Sequence, residues 1–522
     1  MTLRRPLLAF AALCAILAFM PFASCEDASG AVETAPDGTA YMYETFGSGY
    51  PGYRAEIASI DTDAEGLYVS SALEGYPVEV LRDRASAGQS IRYAVVPATV
   101  KTLGDGVFDG CASLEAVYFL GDRPSMSDGS LPDGISVLRM PGASGWDGAS
   151  EIETLTIRSP DGSTVVYAVI EGTAMAVSGT PSSDGSLTIA SRAGGYEVAS
   201  IGPSAFSGTH GVWRSDIRHV TVEDGVEVVR ERAFYYNGGI ETADLPDSVM
   251  ALMDEAFRAA GSLREADIPD AVSYIGFECF RDCSSIPSID VPDSVTFLGE
   301  GAFYICSAAA TASIGAGVEE IPARAFAYCP SLESADIRGA VRSFGHQAFY
   351  LCSSLGSVNI PDSTVSLGYD CFRECSSLGS VRLGPSLETI GAECFRECKA
   401  LEKAEIPASV HTVGKRAFAY CSSLEDAYFL GERPVSETGD PIRISSVFLN
   451  DETRIHCTED HAGSWKDVEG IVIEAPADPS VDDPSVDDPS SEDGSTLMAV
   501  AVAAIVLAGL VVSVVVLRRR PR

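Results

Sequence analysis

The chain has 522 residues, with 36 Lys or Arg against 74 Asp or Glu and a formal net charge of −38. So acidic a surface excludes a nucleic-acid binder, whose phosphate contacts require basic patches. A hydrophobic content of 46% allows sizeable cores, and the length predicts more than one domain.

In chain order, residues 1–25 read as a secretory signal peptide. Arg4 and Arg5 precede an apolar run from Leu7 to Met20, which is followed by small residues at Ala23 and Ser24. Phe22-Ala23-Ser24-Cys25 loosely follows a lipoprotein cleavage box, but Phe stands where an aliphatic residue is usual, so lipidation of Cys25 is the lesser reading. Residues 35–149 form a first short module, with "GYPVEVL" from Gly75, one clear repeat in "VVPATVKTLGDGVFDGCASL", and the endings "YFLGDRP" and "PGASGW". After a Gly- and Ser-rich boundary, residues 151–472 form a second, long module with the same grammar. It has "GYEVASIGPSAF" at Gly195, a long array, then "YFLGERP" and "HAGSW". The matched endings, with Trp146 and Trp465, are expected to cap the open ends of stacked repeats.

The array in the second module has a period of 23. Phe recurs at Phe206, Phe234, Phe257, Phe280, Phe303, Phe326, Phe349, Phe372, Phe395 and Phe418, every interval after the first being 23. Cys stands three positions after the Phe in seven consecutive units, from Cys283 to Cys421. In the unit Ser262 to Cys283, Ala266 and Ile268 alternate with Glu265 and Asp267, the period-2 mark of a short strand, and Pro269 ends it. The following "ECFRDC" predicts a tight turn or short helix that packs inward. One such unit cannot bury its apolar edge alone, whereas stacked units share a continuous core, so the expected fold is a solenoid. At strand spacing the nine intervals from Phe206 to Phe418 predict an array roughly 43 Å long.

The units "SLGSVNIPDSTVSLGYDCFREC", "ALEKAEIPASVHTVGKRAFAYC" and "SSIPSIDVPDSVTFLGEGAFYIC" carry the pattern S-L-x-x-x-x-I-P-x-S-V-x-x-I-G-x-x-A-F-x-x-C. In this the chain resembles the BspA-like leucine-rich repeat proteins of cell surfaces, over about residues 35 to 470. The resemblance implies an α/β-type leucine-rich repeat solenoid of short parallel strands and short helix or turn segments. It also implies a non-enzymatic protein that engages proteins or surface polymers.

Several patterns invite chemistry. The C-x-x-x-C pairs are Cys279/Cys283, Cys371/Cys375 and Cys394/Cys398. Their first Cys fills a slot that is Ala in most other units, which favours a ladder of small packed thiols. Four thiolates on neighbouring rungs could in principle surround a zinc ion, but the spacing does not match a zinc ribbon. "HCTEDH", His456 to His461, packs possible metal ligands together. The corresponding segment of the first module has none of them, so an exposed edge loop is the preferred reading. No nucleophile elbow, phosphate loop or H-E-x-x-H helix is present, and no catalytic residue, cofactor or metal is expected.

The expected functional face is the strand surface. Its outward residues include Asp244, Glu265, Asp267, Asp290, Asp336, Asn359, Arg382, Glu405 and Tyr428, candidates for binding an extracellular protein or polysaccharide. Like charges one strand apart repel, so a column of Asp244, Asp267 and Asp290 hints at a cationic or hydrogen-bonding ligand. Residues 474–496, with D-P-S-V-D repeated, read as an acidic stalk, extended and disordered, reaching up to about 60 Å. Residues 497–517 are 21 without a charge and suit a transmembrane helix. The basic tail 518–522 is expected to remain cytoplasmic, leaving the bulk of the chain outside the cell. The sequence thus predicts a single-pass membrane-anchored adhesin or receptor, or alternatively a structural envelope component that self-associates.

Overall fold

The computed structural model describes residues 31–46, 54–208, 213–449 and 452–474. The expected signal peptide, nearly all of the acidic stalk and the 497–517 span lie outside these residues. Among the described residues no helix is long and apolar enough to cross a membrane.

The second module is a solenoid of 23-residue rungs. A representative rung has a first strand Ser334–Ile337, a second strand Ser343–Phe344, and a turn segment that carries Phe349. Each element lies parallel to its counterpart one period away, with Ser334 opposite Ser357 and Ser343 opposite Ser366. In the strand Lys403–Ile406, Ala404 and Ile406 point into the core while Lys403 and Glu405 face solvent. Prolines such as Pro361 and Pro407 follow the first strand and force the corner.

The Phe column runs through the centre. Consecutive rings from Phe206 to Phe418 stack with centroids 5.1–5.6 Å apart, nearly parallel, and Phe448 continues the stack. The Gly that precedes the Phe by four residues lets rungs approach closely. A Cβ on Gly414 would lie 2.2 Å from the Ala392 nitrogen, which explains the recurring Ile-Gly or Leu-Gly of the pattern.

The turn segments correct the expectation of short helices. The residues two before and two after each Phe from Phe234 to Phe418 adopt left-handed backbone, as at Glu393 (φ 55) and Glu397 (φ 62). Such alternation cannot propagate a helix. It builds a hydrogen-bonded spine instead, in which Glu393, Phe395 and Glu397 donate their N–H groups to the carbonyls of Lys415, Ala417 and Ala419 on the next rung. Among the described residues the helical pieces are Ile444–Val447 and a 3-10 turn, Glu459–Trp465. Ile444–Val447 closes the spine, because Arg416 and Phe418 donate to the Ser446 and Val447 carbonyls.

Each module begins with an antiparallel hairpin pair before its parallel rungs. Those strands are Ala31–Thr34, Ala40–Phe46 and Arg54–Asp61 in the first module, and Thr154–Arg158, Thr164–Ile170 and Thr173–Thr180 in the second. They cover the N-terminal ends, a cap the repeat pattern does not announce. At the other ends Trp146 packs on Phe119 and Trp465 on Phe429, at 4.5 and 4.9 Å between ring centroids.

The two modules share a buried seam. Glu231 accepts hydrogen bonds from the hydroxyls of Ser70 and Ser71, Arg230 stacks on Tyr68 at 4.0 Å, and Arg232 donates to the Gly75 carbonyl. Gly75 has φ +76, and a Cβ there would meet the Phe277 ring at 2.7 Å. Carboxyls crowd the same seam. Burial, then Glu74 and Glu231, push Glu33 up to about 8. Burial and Glu33 hold Asp254 well above the carboxylate range. Asp254 accepts the Phe277 N–H through Oδ1, while its Oδ2 and the Glu33 Oε2 have no hydrogen-bond partner among the described residues.

Candidate functional site

Strand pleating sets the outward face, since alternate residues must point away from a filled core. Asp244, Glu265, Asp267, Asp290, Asp336, Asn359, Arg382 and Glu405 are exposed, and Tyr428 is half-buried. The face is not one uninterrupted column. Its first strands fall into three parallel sheets, spanning Ser186–Ala266, Ser288–Arg382 and Lys403–Glu474.

The first interruption has a direct cause. At the residue before the first strand, Arg264 donates to Glu241, Ala310 to Pro287, and Glu333 to Ala310. Pro287 occupies this slot and has no N–H to give Arg264. Asp267 therefore lies beyond the short strand Glu265–Ala266, and the expected Asp244, Asp267, Asp290 column is not held in one register. The structure does bring Asp290, Ser313 and Asp336 into register, Asn359 beside Arg382, and Glu405 beside Tyr428. Arg382 is paired with Asp362 at 2.7 Å.

The densest polar group on this face lies at its C-terminal end. Lys403 reaches Glu405 at 2.5 Å and sits 4.6 Å above the Tyr428 ring. Arg454 makes two bonds to the Asp426 carboxylate, at 2.7 and 2.6 Å. With His456 adding a third, these bonds hold Asp426 down at about 2. His456 corrects the edge-loop reading of "HCTEDH". It lies buried on the strand Arg454–Thr458, in register with Tyr428, and its ring stacks on the tyrosine at 4.2 Å. Its two nitrogens lie 2.7 Å from Asp426 and from Glu474. The segment is a further rung, reached after 28 residues rather than 23, so the repeat period alone could not place it.

The cysteines resolve into a packing device with a polar role. All twelve described cysteines are buried. The repeat Cys directs its thiol at the carbonyl of a Phe one rung earlier, as Cys352 does to Phe326 at 3.1 Å and Cys375 to Phe349 at 3.1 Å. Asn237 fills the same slot and donates its amide to Phe206 at 3.3 Å, whereas Ala260 fills it with no donor, so the slot calls for small size and admits a donor. The Cys371 and Cys394 thiols are within hydrogen-bond reach of each other. Burial pushes the Cys329 and Cys421 thiols up to about 12, which suppresses the reactive thiolate.

A shallow cleft of about 760 Å³ opens beside the end of the first module, lined by Glu115, Arg123, Trp146 and Glu171 among others. Glu171 is bound there by Arg92 and Tyr118, at 2.5 and 2.8 Å. Its two carboxylate oxygens are thus engaged in joining the modules.

Residues 193–310 and 319–434 match, in six copies, the family described as BspA type Leucine rich repeat region. Among solved structures, a leucine-rich repeat protein from Bacteroides ovatus is 20% identical, with 60% of this chain and 98% of that chain covered and a TM-score of 0.29. A leucine rich cell surface protein from Faecalibacterium prausnitzii is 20% identical, with 78% and 96% covered and a TM-score of 0.29. The pneumococcal vaccine antigen PcpA is 16% identical, with 62% and 98% covered and a TM-score of 0.37. No curated protein matches the chain.

Proposed function

The chain belongs to the BspA-type leucine-rich repeat family, and from that premise we propose that it is a non-enzymatic adhesin or binding receptor. The ligand is an extracellular protein or a surface polymer, met by the outward strand face of the second module. The observation that carries this reading is the face itself. Rigid, core-filled rungs hold exposed, mostly acidic side chains along it, from Asp244 through Asp290 and Asp336 to Glu405. Extended solenoid surfaces of this kind serve binding rather than chemistry. In this reading residues 474–496 are a spacer and residues 497–517 the membrane anchor.

The test is binding of the purified protein to a panel of glycans and matrix proteins, and to itself. Asp267→Lys with Asp290→Lys should weaken the ligand found in that panel, with an unchanged circular dichroism spectrum. Undiminished binding would remove the strand face as the site. Self-association without any other ligand would favour a structural envelope component.

A further inference from the structure

Along the turn spine, four of the ten Phe rungs, those of Phe257, Phe280, Phe372 and Phe395, repeat one ionic pattern. The left-handed residue two before the Phe is an acid, and the residue after the Phe is an Arg. Glu278 with Arg281, Asp370 with Arg373, and Glu393 with Arg396 pair within their rungs at 2.5, 3.3 and 2.7 Å. Arg373 also reaches Glu393 on the next rung at 3.4 Å. The three consecutive rungs of Phe303, Phe326 and Phe349 lie between these pairs and lack the pattern. There the acid is replaced by Gly301, Arg324 and Gln347, and the surface carries Tyr304, Tyr328 and Tyr350. The tyrosines touch edge to face, with centroids 5.3 and 5.2 Å apart. Arg281 over Tyr304 and Arg373 over Tyr350 close the two ends of the row. Ile305 and Leu351 extend it on the neighbouring position, both half-buried.

The left-handed position two after the Phe is common to the spine, and on these three rungs it holds bulky apolar or aromatic side chains. Ile305, Tyr328 and Leu351 have φ of 62, 58 and 60. Left-handed backbone is costly for a bulky side chain, most of all a β-branched one, and glycine would occupy it without strain. Strain kept at a solvent-facing position points to function. The rim is acidic. Five carboxylates, Glu278, Asp282, Glu300, Asp370 and Glu374, surround three guanidiniums, Arg281, Arg324 and Arg373, so two negative charges remain in excess although each carboxylate has an arginine partner.

We propose that Tyr304, Ile305, Tyr328, Tyr350 and Leu351 form a second binding surface, for a protein segment that combines apolar and basic side chains. The aliphatic pair suits apolar side chains better than sugar rings, and the acidic rim supplies the complement to lysine and arginine. A second copy of this chain, at net −38, is electrostatically the wrong partner. The inference rests on reading the chain as a binding protein and adds a surface separate from the strand face.

The experiment uses the full chain in detergent micelles at physiological salt. The probes are a fluorescent peptide of alternating lysine and leucine, its glutamate–leucine counterpart, and neutral dextran. The lysine–leucine peptide should bind, and Tyr328→Ala with Tyr350→Ala should weaken it at least about tenfold, as loss of aromatic anchors does. Asp267→Lys with Asp290→Lys should leave that affinity within about threefold, since those groups lie outside the patch. Equal loss in both double variants would overturn the proposal as non-specific attraction to an acidic protein, without touching the strand-face reading. Binding of the glutamate peptide or dextran in place of the lysine peptide would overturn it as well. Ile305→Gly separates folding from binding. It should raise the unfolding midpoint, by relieving the left-handed strain, and still weaken the peptide; a lowered midpoint would refute the strain on which the surface was identified.

Discussion

The inter-module seam makes stability depend on pH in a direction opposite to that of most acidic proteins. Glu33 stands at about 8 instead of 4.5, and Asp254 is displaced the same way. An acid whose value rises on folding holds its proton in the folded state. Its stabilising contribution is therefore complete below about 4.5 and disappears as pH climbs through about 8. Ionising Glu33 in place costs on the order of 5 kcal/mol, at about 1.4 kcal/mol per pH unit. Its side chain is half-buried, so water relieves part of this, and about 2–3 kcal/mol is expected. The groups that set the field are Glu74, Glu231, Glu255, Tyr43 and Tyr274, against Arg230 and Arg232. The assay is urea unfolding at pH 5 and pH 9, on the native protein and on Glu33→Gln with Asp254→Asn. The Asn keeps an acceptor for the Phe277 N–H. The native protein should lose about 2–3 kcal/mol relative to the variant over that interval. An identical pH profile for both proteins, or native stability that rises with pH relative to the variant, would refute the reasoning.

Phe326→Ala removes a fully buried ring stacked on both sides and should cost about 3–5 kcal/mol in denaturant unfolding. Phe206→Ala, stacked on Phe234 alone within the column, should cost about 0.5–1.5 kcal/mol less; equal losses would contradict a stacked column. Cys375→Ala should cost about 1 kcal/mol more than Cys371→Ala, because only the first loses a thiol-to-carbonyl bond while Cys371 fills a slot that is Ala at Ala325 and Ala348. Native-state reaction of the described thiols with a thiol reagent should be negligible until urea unfolds the chain, and rapid labelling would refute their burial. Pro287→Ala restores the N–H missing opposite Arg264, so hydrogen exchange around residues 264–268 should slow; unchanged exchange would mean that another cause separates the two sheets.

Much of this fold was legible because one physical constraint repeats. A rung must bury the same face at the same place, so Phe and Cys recur every 23 residues and the strand alternation between Glu265 and Ile268 can be read from a single unit. The elements that escaped are those that do not repeat. The hairpins at Ala31 and Thr154 cap the modules with antiparallel strands that have no periodic signal. The seam's hydrogen bonds from Arg232 to Gly75 and from Ser70 to Glu231 span 157 and 161 positions, and local pattern carries nothing of them. The turn conformation has no local signal, because left-handed residues are normally announced by glycine, whereas here Glu, Arg and Tyr hold those positions. Of the candidate strand-face residues, exposure followed from alternation alone. Their breakup into three sheets needed Pro287 to be weighed as a missing donor rather than as one more corner proline.

The spine and sheets have a mechanical consequence. Their inter-rung hydrogen bonds run along the long axis of the module, so a pull between its two ends loads the rungs in series and the weakest junction yields first. The Arg264–Pro287 junction is short of one backbone bond. Each rung that peels away frees 23 residues, roughly 80 Å of chain at full extension. Stretched in this way, the module would lengthen in discrete steps and dissipate load one rung at a time, as a shock absorber rather than a rod.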